Sequence, residues 1–214
     1  MLRLPPPYTE FAAPQGDALA CAVALAPAEG AGTLAWHAGG GMVECAVVLE
    51  PLEALATARL VLFAGMNALA DALAAECPPE KPLLFDWPDA LRFDGGLVGG
   101  GRLAWPEGCA GDQVPDWLVF AFTLRAAADP DAAPPPPALA EEGFEDFSPA
   151  ALVEGFASHL MVALDEWATL GPPSQPARWR RRWPGTVLPD TAHLPATPTW
   201  FDPATGRLRV EMPA

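Results

Sequence analysis

The stretch FDWPDALRFDGGLVGGGRLAW, residues 85–105, decides the fold of this chain. Its centre is Asp94-Gly95, which separates two short runs that are rich in apolar residues. An Asp-Gly pair accepts the positive φ angles that both central positions of a type I′ turn need. The stretch therefore predicts an antiparallel hairpin, preceded by a short strand over residues 82–87 that ends at Trp87-Pro88.

Apolar patterns on both sides of this hairpin predict the remaining elements. We expect strands over residues 33–36, 42–50 and 117–126, the first two separated by the segment from His37 to Gly41. We expect helices from Asp17 to about Pro27, over 53–76, from the Ser148 cap to residue 170, and over 175–183. A proline-rich lead, a loop over 129–137 and a terminal hairpin around 202–206 complete the chain. The order α-β-β-α-β-β-β-β-α-α predicts an α+β fold, with one mixed β-sheet sandwiched by helices.

The composition bounds the class of protein. The chain has 214 residues, of which 51% are hydrophobic, enough for one globular core and too many for a disordered protein. The net charge of −15 argues against a surface that wraps nucleic acid, because phosphate binding depends on clustered positive charge. The bases comprise eleven arginines and a single lysine, Lys81. Any mechanism that needs an ammonium group therefore has one candidate.

The cysteines and the N-terminus indicate the compartment. The chain has four cysteines, Cys21, Cys45, Cys77 and Cys109. They are spaced by 24, 32 and 32 residues and include no CxxC pair, so we predict no metal site. The N-terminal residues lack the apolar segment of a signal peptide, and we find no apolar run of the roughly 18 residues that span a membrane. These features predict a cytoplasmic protein that binds neither nucleic acid nor membrane.

Two blocks resemble the biotin protein ligases. Asp86-Trp87-Pro88-Asp89-Ala90 is similar to that family's Lys-Trp-Pro-Asn-Asp strand end, and residues 94–100, DGGLVGG, are similar to its Asp-x-Lys-Leu-x-Gly-Ile hairpin. The resemblance extends over residues 16–183, and the wider group includes lipoate ligases and octanoyl transferases. It implies a fold like that of class II aminoacyl-tRNA synthetases and biotin protein ligases over residues 1–184. Residues 185–214 would then be a C-terminal extension with a small β-hairpin.

The resemblance also implies ligands and partners. ATP with biotin or lipoate would be the cofactors if the family activity is retained; otherwise the cofactor is unknown. The partners would be a small acyl or biotin-like ligand and a biotinyl or lipoyl carrier domain, and a homodimer is possible for such a fold. The family's glycine- and arginine-rich ligand loop would correspond to the shorter segment from Ala38 to Gly41, which has no arginine.

The two lysines of the family blocks are absent from this chain. Asp86 and Gly96 stand at their positions, and the resemblance implies that the hairpin lysine, at the position of Gly96, would stabilise the negative charge that develops in acyl transfer. We therefore expect a divergent biotin/lipoate protein ligase-like protein with reduced or absent ligase activity. Two alternatives stay open: an active acyl ligase or transferase with a rearranged site, and a non-catalytic module that binds a carrier domain or dimerises.

The candidate site residues follow from the same blocks. Ligand-binding candidates are Trp36, Gly39, Gly40, Gly41, Asp86, Trp87, Pro88, Asp89, Gly95, Gly96, Gly99 and Gly100. Together with Trp105, the two tryptophans among them could form an aromatic floor under a ligand. The glycines either contact a ligand or serve tight turns and close backbone packing. Catalytic candidates are Arg102 as a replacement cation, His37 as an acid or base, and Cys109 as a nucleophile.

Overall fold

The computed structural model describes residues 1–14, 16–76, 80–128, 135–144, 147–187, 190–191, 194, 198–202 and 207–208. Its main feature is a sheet of seven strands: β1 Thr9–Ala12, β2 Thr33–Gly39, β3 Met42–Leu49, β4 Leu83–Asp86, β5 Ala90–Phe93, β6 Gly96–Ala104 and β7 Leu118–Arg125. The spatial order is β1-β2-β3-β7-β6-β5-β4. Only the β1–β2 pair is parallel among these neighbours, which confirms the mixed sheet.

The helices are α1 Ala18–Glu29, α2 Leu55–Ala58, α3 Val61–Glu76, α4 Pro149–Leu170 and α5 Ser174–Trp179, with 3₁₀ turns at Leu139–Glu142 and Arg180–Arg182. Both predicted helix caps are present. The Asp17 carboxylate accepts a hydrogen bond from Ala20 N at 2.9 Å, and the Ser148 hydroxyl accepts one from Ala151 N at 3.2 Å. Each cap satisfies an amide that the helix itself leaves unpaired.

Four elements differ from the sequence prediction. The lead contains β1, whose parallel partner β2 lies far along the chain and leaves no local pattern. The expected helix over 53–76 is divided, because i→i−3 bonds such as Leu60 N to Thr57 O tighten the chain between α2 and α3. Helix α1 passes through Pro27 and ends at Gly30, and the last helix becomes a 3₁₀ turn after Trp179.

The two faces of the sheet carry side chains of different size. One face packs α3, α4 and α5 into the main core around large side chains, among them Phe63, Leu69, Phe120, Phe122 and Phe156. The other face packs α1 through small residues such as Ala22, Ala35, Ala46 and Ala121. Methyl-sized contacts let a helix approach a sheet closely. The small-residue face therefore holds α1 close to the middle of the sheet.

One apolar stretch exceeds the roughly 18 residues that span a membrane, although the sequence prediction includes no such run. Residues 55–76, spanning α2 and α3, are long and apolar enough to cross a membrane, but 72% of the most apolar window is buried within the protein. Such burial is typical of a core helix.

Near the other end of the chain, Phe201–Asp202 pairs with Arg207–Leu208 as the predicted terminal hairpin, β8 and β9. Its turn, Cys77 and most of the loop over 129–137 lie outside the described residues.

Candidate ligand site

The predicted hairpin forms the outer part of the sheet. Asp94 has φ 47° and Gly95 has φ 82°, the two positive angles that the turn requires. The chain enters β5 from β4 through Trp87-Pro88, whose peptide bond is cis, and Asp89 follows with a side chain that is almost fully buried. The two sequence blocks that suggested a site therefore meet in one corner of the molecule.

Asp86 is engaged inside the β4–β5 hairpin. Its carboxylate accepts a hydrogen bond from Arg92 Nε at 2.5 Å, and the same guanidinium donates to Gly95 O at 2.9 Å. The Asp86 side chain is 41% exposed. The anion at this position is thus balanced by a neighbouring cation and by solvent, and it does not stand as an uncompensated charge in a dry pocket.

Gly96 lies against Pro137, which ends the proline-rich segment. A Cβ built on Gly96 would stand 2.5 Å from Pro137 Cβ, so a side chain requires the loop to move. Beside it, the buried guanidinium of Arg125 donates to Leu97 O at 3.3 Å and to Pro137 O at 2.9 Å. Burial lowers the pKa of Arg125. Arg125 is not among the predicted site residues, although an arginine that ends an apolar strand is a recognisable signal.

The single lysine lies at the far end of the hairpin. Lys81 Nζ pairs with the Glu142 carboxylate and lies 3.5 Å from Asp94 Oδ2. These contacts tie the start of β4 to the hairpin turn and to the loop before α4. They hold the ammonium group at the tip of the hairpin, where both partners are acidic side chains of the chain itself.

The glycines have different neighbours. Gly40 and Gly41, with φ 58° and 74°, form the turn between β2 and β3, which is shorter than predicted because β2 continues to Gly39. A Cβ on Gly99 would meet Thr123 O at 2.1 Å, so this glycine permits close pairing of β6 with β7. A Cβ on Gly100 would meet the Trp200 indole at 2.3 Å. Backbone packing therefore accounts for both glycines, because a Cβ on Gly100 would also stand 2.3 Å from Asp89 O.

The three tryptophans do not line one floor. Trp36 donates its indole N–H to Glu10 Oε1 at 2.9 Å, which helps to lower the pKa of Glu10. Trp87 packs against Phe63 and Trp179, each with a centroid separation of 5.7 Å, on the main-core side. Among the three, only Trp105 lines the cavity at the end of β6.

This cavity has a volume of about 190 Å³. It lies where β6 continues beyond β5, because β5 pairs with β6 no further than Gly100. Six of its lining residues are apolar and three are charged: Leu19, Leu62, Leu103, Trp105, Leu194, Pro198, Arg59, Arg102 and Asp89. Two guanidinium groups next to apolar walls can hold a carboxylate by paired hydrogen bonds while an alkyl chain packs against the leucines.

The structure places only one of the three catalytic candidates on the cavity lining. Arg102 lies there, with Nη2 3.7 Å from Asp17 Oδ1. His37 packs near Gly16 and Gly39 at the β2 end, away from the lining. The Cys109 thiol faces the carbonyl oxygens of Ala110 and Gln113 at 3.7 and 3.9 Å. Within the described ranges, no group of three or more His, Cys, Asp or Glu residues is arranged to hold a metal ion.

Three further residues near the cavity are not among the predicted candidates. Arg59 Nη2 donates to Leu194 O at 2.6 Å, and its guanidinium lies 5.5 Å from the centre of the Trp105 ring. Burial lowers the pKa of Arg59. Thr199 donates to the Asp89 carboxylate, and Glu44 accepts a hydrogen bond from Ala18 N. They come from distant parts of the chain, so no local spacing identifies them.

Glu44 should make stability depend on pH. Burial raises its pKa, opposed in part by the Ala18 amide and Arg102. A carboxyl with a raised folded pKa loses stabilisation as pH rises from the unfolded pKa through the folded one. We therefore expect Glu44→Gln to be more stable than the wild type at pH 7, with the difference shrinking as the pH falls through the folded pKa and vanishing near the unfolded pKa of about 4.3. Urea unfolding across this range measures it, and a difference that stays constant with pH would contradict the assignment.

Comparisons place this geometry among known proteins. A family model described as the biotin/lipoate A/B protein ligase family matches residues 4–181. A biotin protein ligase-like protein of unknown function from a Silicibacter species is 30% identical, with a TM-score of 0.79 over 86% of this chain and 82% of that chain. No curated protein matches the chain.

Two biotin protein ligases of known structure share the fold at lower identity. The enzyme from Aquifex aeolicus is 14% identical, with a TM-score of 0.59 over 83% of this chain and 75% of that chain. The enzyme from Leishmania major, in complex with biotinyl-5-AMP, is 17% identical, with a TM-score of 0.54 over 96% of this chain and 95% of that chain. The resemblance in sheet and helices therefore extends well beyond the two sequence blocks.

Proposed function

Because the chain belongs to the biotin/lipoate A/B protein ligase family, we propose that it binds a small carboxylic acid of the biotin or lipoate class and has reduced or absent ligase activity. The reduced activity is inferred from the contacts of the two residues, Gly96 and Asp86, that stand where the family blocks have lysine. Gly96 lies under Pro137, and Asp86 is paired with Arg92. Neither position can supply an ammonium group.

Two other cations near the hairpin are engaged by the chain itself. The Lys81 ammonium is engaged by Glu142 and Asp94 at the tip of the hairpin. The Arg125 guanidinium is held by the carbonyl groups of Leu97 and Pro137. Stabilising a developing negative charge requires a donor directed at the reacting oxygen, and a donor held by two backbone carbonyls is poorly placed to turn towards it.

The cavity supports binding of an acid. Arg59 and Arg102 outnumber the one carboxylate in the lining, Asp89, and four leucines, Trp105 and Pro198 supply apolar walls. A structure of the Aquifex aeolicus biotin protein ligase was determined with biotin and ATP. We propose that the present cavity takes the carboxylate and alkyl chain of a related acid, and that a biotinyl or lipoyl carrier domain is the macromolecular partner.

Loss of ligase activity is tested by incubating the purified protein with Mg-ATP and biotin, lipoate or octanoate in separate reactions. We expect no pyrophosphate release above the reaction without acid, and no acyl-adenylate by mass spectrometry. The Aquifex aeolicus biotin protein ligase serves as the positive control in the biotin reaction. Sustained turnover by this protein would overturn the loss of activity and support an active ligase with a rearranged site around Arg102.

Acid binding is measured separately by isothermal titration calorimetry with the same three acids. Arg102→Met removes the guanidinium from the cavity and should weaken binding at least tenfold, since a charge-assisted hydrogen bond contributes about 1.5–3 kcal/mol. Arg181→Met removes an exposed arginine from the 3₁₀ turn after α5 and is the matched control. Equal affinities of the two variants would place the acid elsewhere.

A further inference from the structure

A run of arginines ends α5. Residues 178–183, with the sequence RWRRRW, complete this helix and form the 3₁₀ turn after it. Arg178 donates hydrogen bonds to Asp71 and Glu166, and Arg182 Nη2 donates to Asp71 Oδ1 at 2.9 Å. Side chains four residues apart lie on the same side of a helical turn. Asp71 of α3 therefore fixes two of the four arginines against the body of the protein.

The two arginines between them, Arg180 and Arg181, are exposed. Among the arginine and lysine side chains that the structure describes, these two have no hydrogen bond or ion pair within the protein. Each of the others contacts a carboxylate or a carbonyl oxygen of the chain. The chain has 27 acidic residues against 12 basic ones, so carboxylates are plentiful. An exposed pair of arginines that none of them engages is therefore a distinct positive patch.

The same turn presents an aromatic side chain on a rigid base. Trp179 is fully buried and stacks on Phe85 of the edge strand β4, with ring centroids 5.2 Å apart. The half-buried Trp183 packs against Trp179 with a centroid separation of 6.1 Å. It also lies against Gly185, where a Cβ would come within 2.0 Å of the indole. Packing and ion pairs thus hold the turn in one position.

We propose that Arg180, Arg181 and Trp183, which we call the basic turn, form a docking surface for an acidic segment of another protein. Arginine and tryptophan are enriched among the residues that contribute most to protein interfaces. Arginine binds carboxylates through paired hydrogen bonds, and the exposed part of the indole adds apolar contact. Because the turn is already fixed, little conformational freedom is lost on binding. The inference goes beyond the proposed function, since it concerns a different surface and does not require the acid cavity.

The chemistry of the partner follows from the charges around the basic turn. The net charge of −15 repels a nucleic acid, whose closely spaced phosphates would face much more of the surface than this turn. A protein segment with a few carboxylates and some apolar side chains can engage the turn alone. A single carboxylate gains little from one exposed arginine, because solvent screens the pair. The partner therefore carries at least two carboxylates, one for each arginine.

The test uses the full-length protein and a fluorescent synthetic peptide of Glu-Glu-Leu repeats, whose binding is followed by fluorescence anisotropy. The double variant Arg180→Gln/Arg181→Gln removes both charges of the patch. Arg3→Glu is the matched control, because it lowers the net charge by the same amount at an exposed arginine elsewhere in the chain. A peptide of Gln-Gln-Leu repeats and a single-stranded oligonucleotide of the same charge are the comparison probes. Circular dichroism establishes that each variant is folded.

We expect the wild type to bind the acidic peptide, and the double variant to bind it about tenfold more weakly at low salt, since two charge-assisted contacts are lost. Arg3→Glu should stay within about twofold of the wild type at 0.1 M salt, where charges more than about 10 Å apart are largely screened. Trp183→Ala should also weaken binding, by a smaller factor. If this last variant does not fold, the arginine variants decide the matter.

Four results would overturn the proposal. The first is no binding of the acidic peptide by the wild type, and the second is an equal loss of binding in the double variant and in Arg3→Glu. The third is equal binding of the Gln-Gln-Leu peptide, which would show that the turn does not recognise carboxylates. The fourth is tighter binding of the oligonucleotide than of the acidic peptide. None of these outcomes bears on the acid-binding function, which is measured at the cavity.

Discussion

Gly99→Ala is expected to destabilise the protein by about 3 kcal/mol, at the upper end of the range for overpacked cores. The added methyl group would lie 2.1 Å from Thr123 O and 3.0 Å from Leu124 Cα. Both contacts are with the backbone of β7, which cannot move aside by a rotamer change. Strands β6 and β7 would have to separate in the middle of the sheet. The expected loss is a large fraction of the 5–15 kcal/mol that typically stabilises a domain.

Urea unfolding followed by far-UV circular dichroism measures this loss. Gly155→Ala in α4 is the matched control, because its methyl group meets Ala72 Cβ at an ordinary 3.5 Å. Since alanine favours a helix over glycine by up to about 1 kcal/mol, the control should be as stable as the wild type or more so. A wild-type midpoint for Gly99→Ala would show that packing does not require this glycine, and the ligand-contact interpretation would regain support.

Phe156→Ala should cost about 3–5 kcal/mol, the usual range for deleting a buried aromatic side chain. Phe156 is fully buried on α4, and its ring centroid lies 4.9 Å from Phe122 and 5.8 Å from Phe120. The substitution removes the contact between α4 and the middle of β7 and leaves a cavity there. Calorimetric or urea unfolding should show a correspondingly lower midpoint.

Leu170→Ala tests the same helix at a position that is 70% exposed. Substitutions at such surface positions usually change stability by less than about 0.5 kcal/mol. A loss below about 1 kcal/mol for Phe156→Ala would mean that the core around β7 collapses to fill the space.

Features determined by neighbouring residues were predictable from the sequence. The Asp94-Gly95 turn depends on two residues that accept positive φ, and the caps at Asp17 and Ser148 depend on a side chain that reaches an amide three residues away. The apolar runs likewise predicted β3 and β7 to within one or two residues. Local chemistry therefore accounts for the hairpin that carries the site and for the start of each capped helix.

Features that depend on distant parts of the chain were not predictable. Strand β1 forms only because β2 offers a parallel partner, and four residues between prolines carry no strand pattern of their own. The loss of the family lysines was visible in the sequence, but the Pro137 contact that closes Gly96 depends on the path of a loop. The hydrogen bonds from Thr199 to Asp89 span 110 residues. Such contacts have no short-range signature.

The two ends of the sheet limit how copies of this protein can associate. The outermost strands, β1 and β4, are four residues long. Prolines stand on both sides of each, at positions 5–7 and 14 for β1 and at positions 82 and 88 for β4. Short edges interrupted by residues without an N–H offer few ladder bonds to an incoming strand. Each edge of the sheet therefore offers only a few backbone hydrogen bonds to a strand of a second molecule.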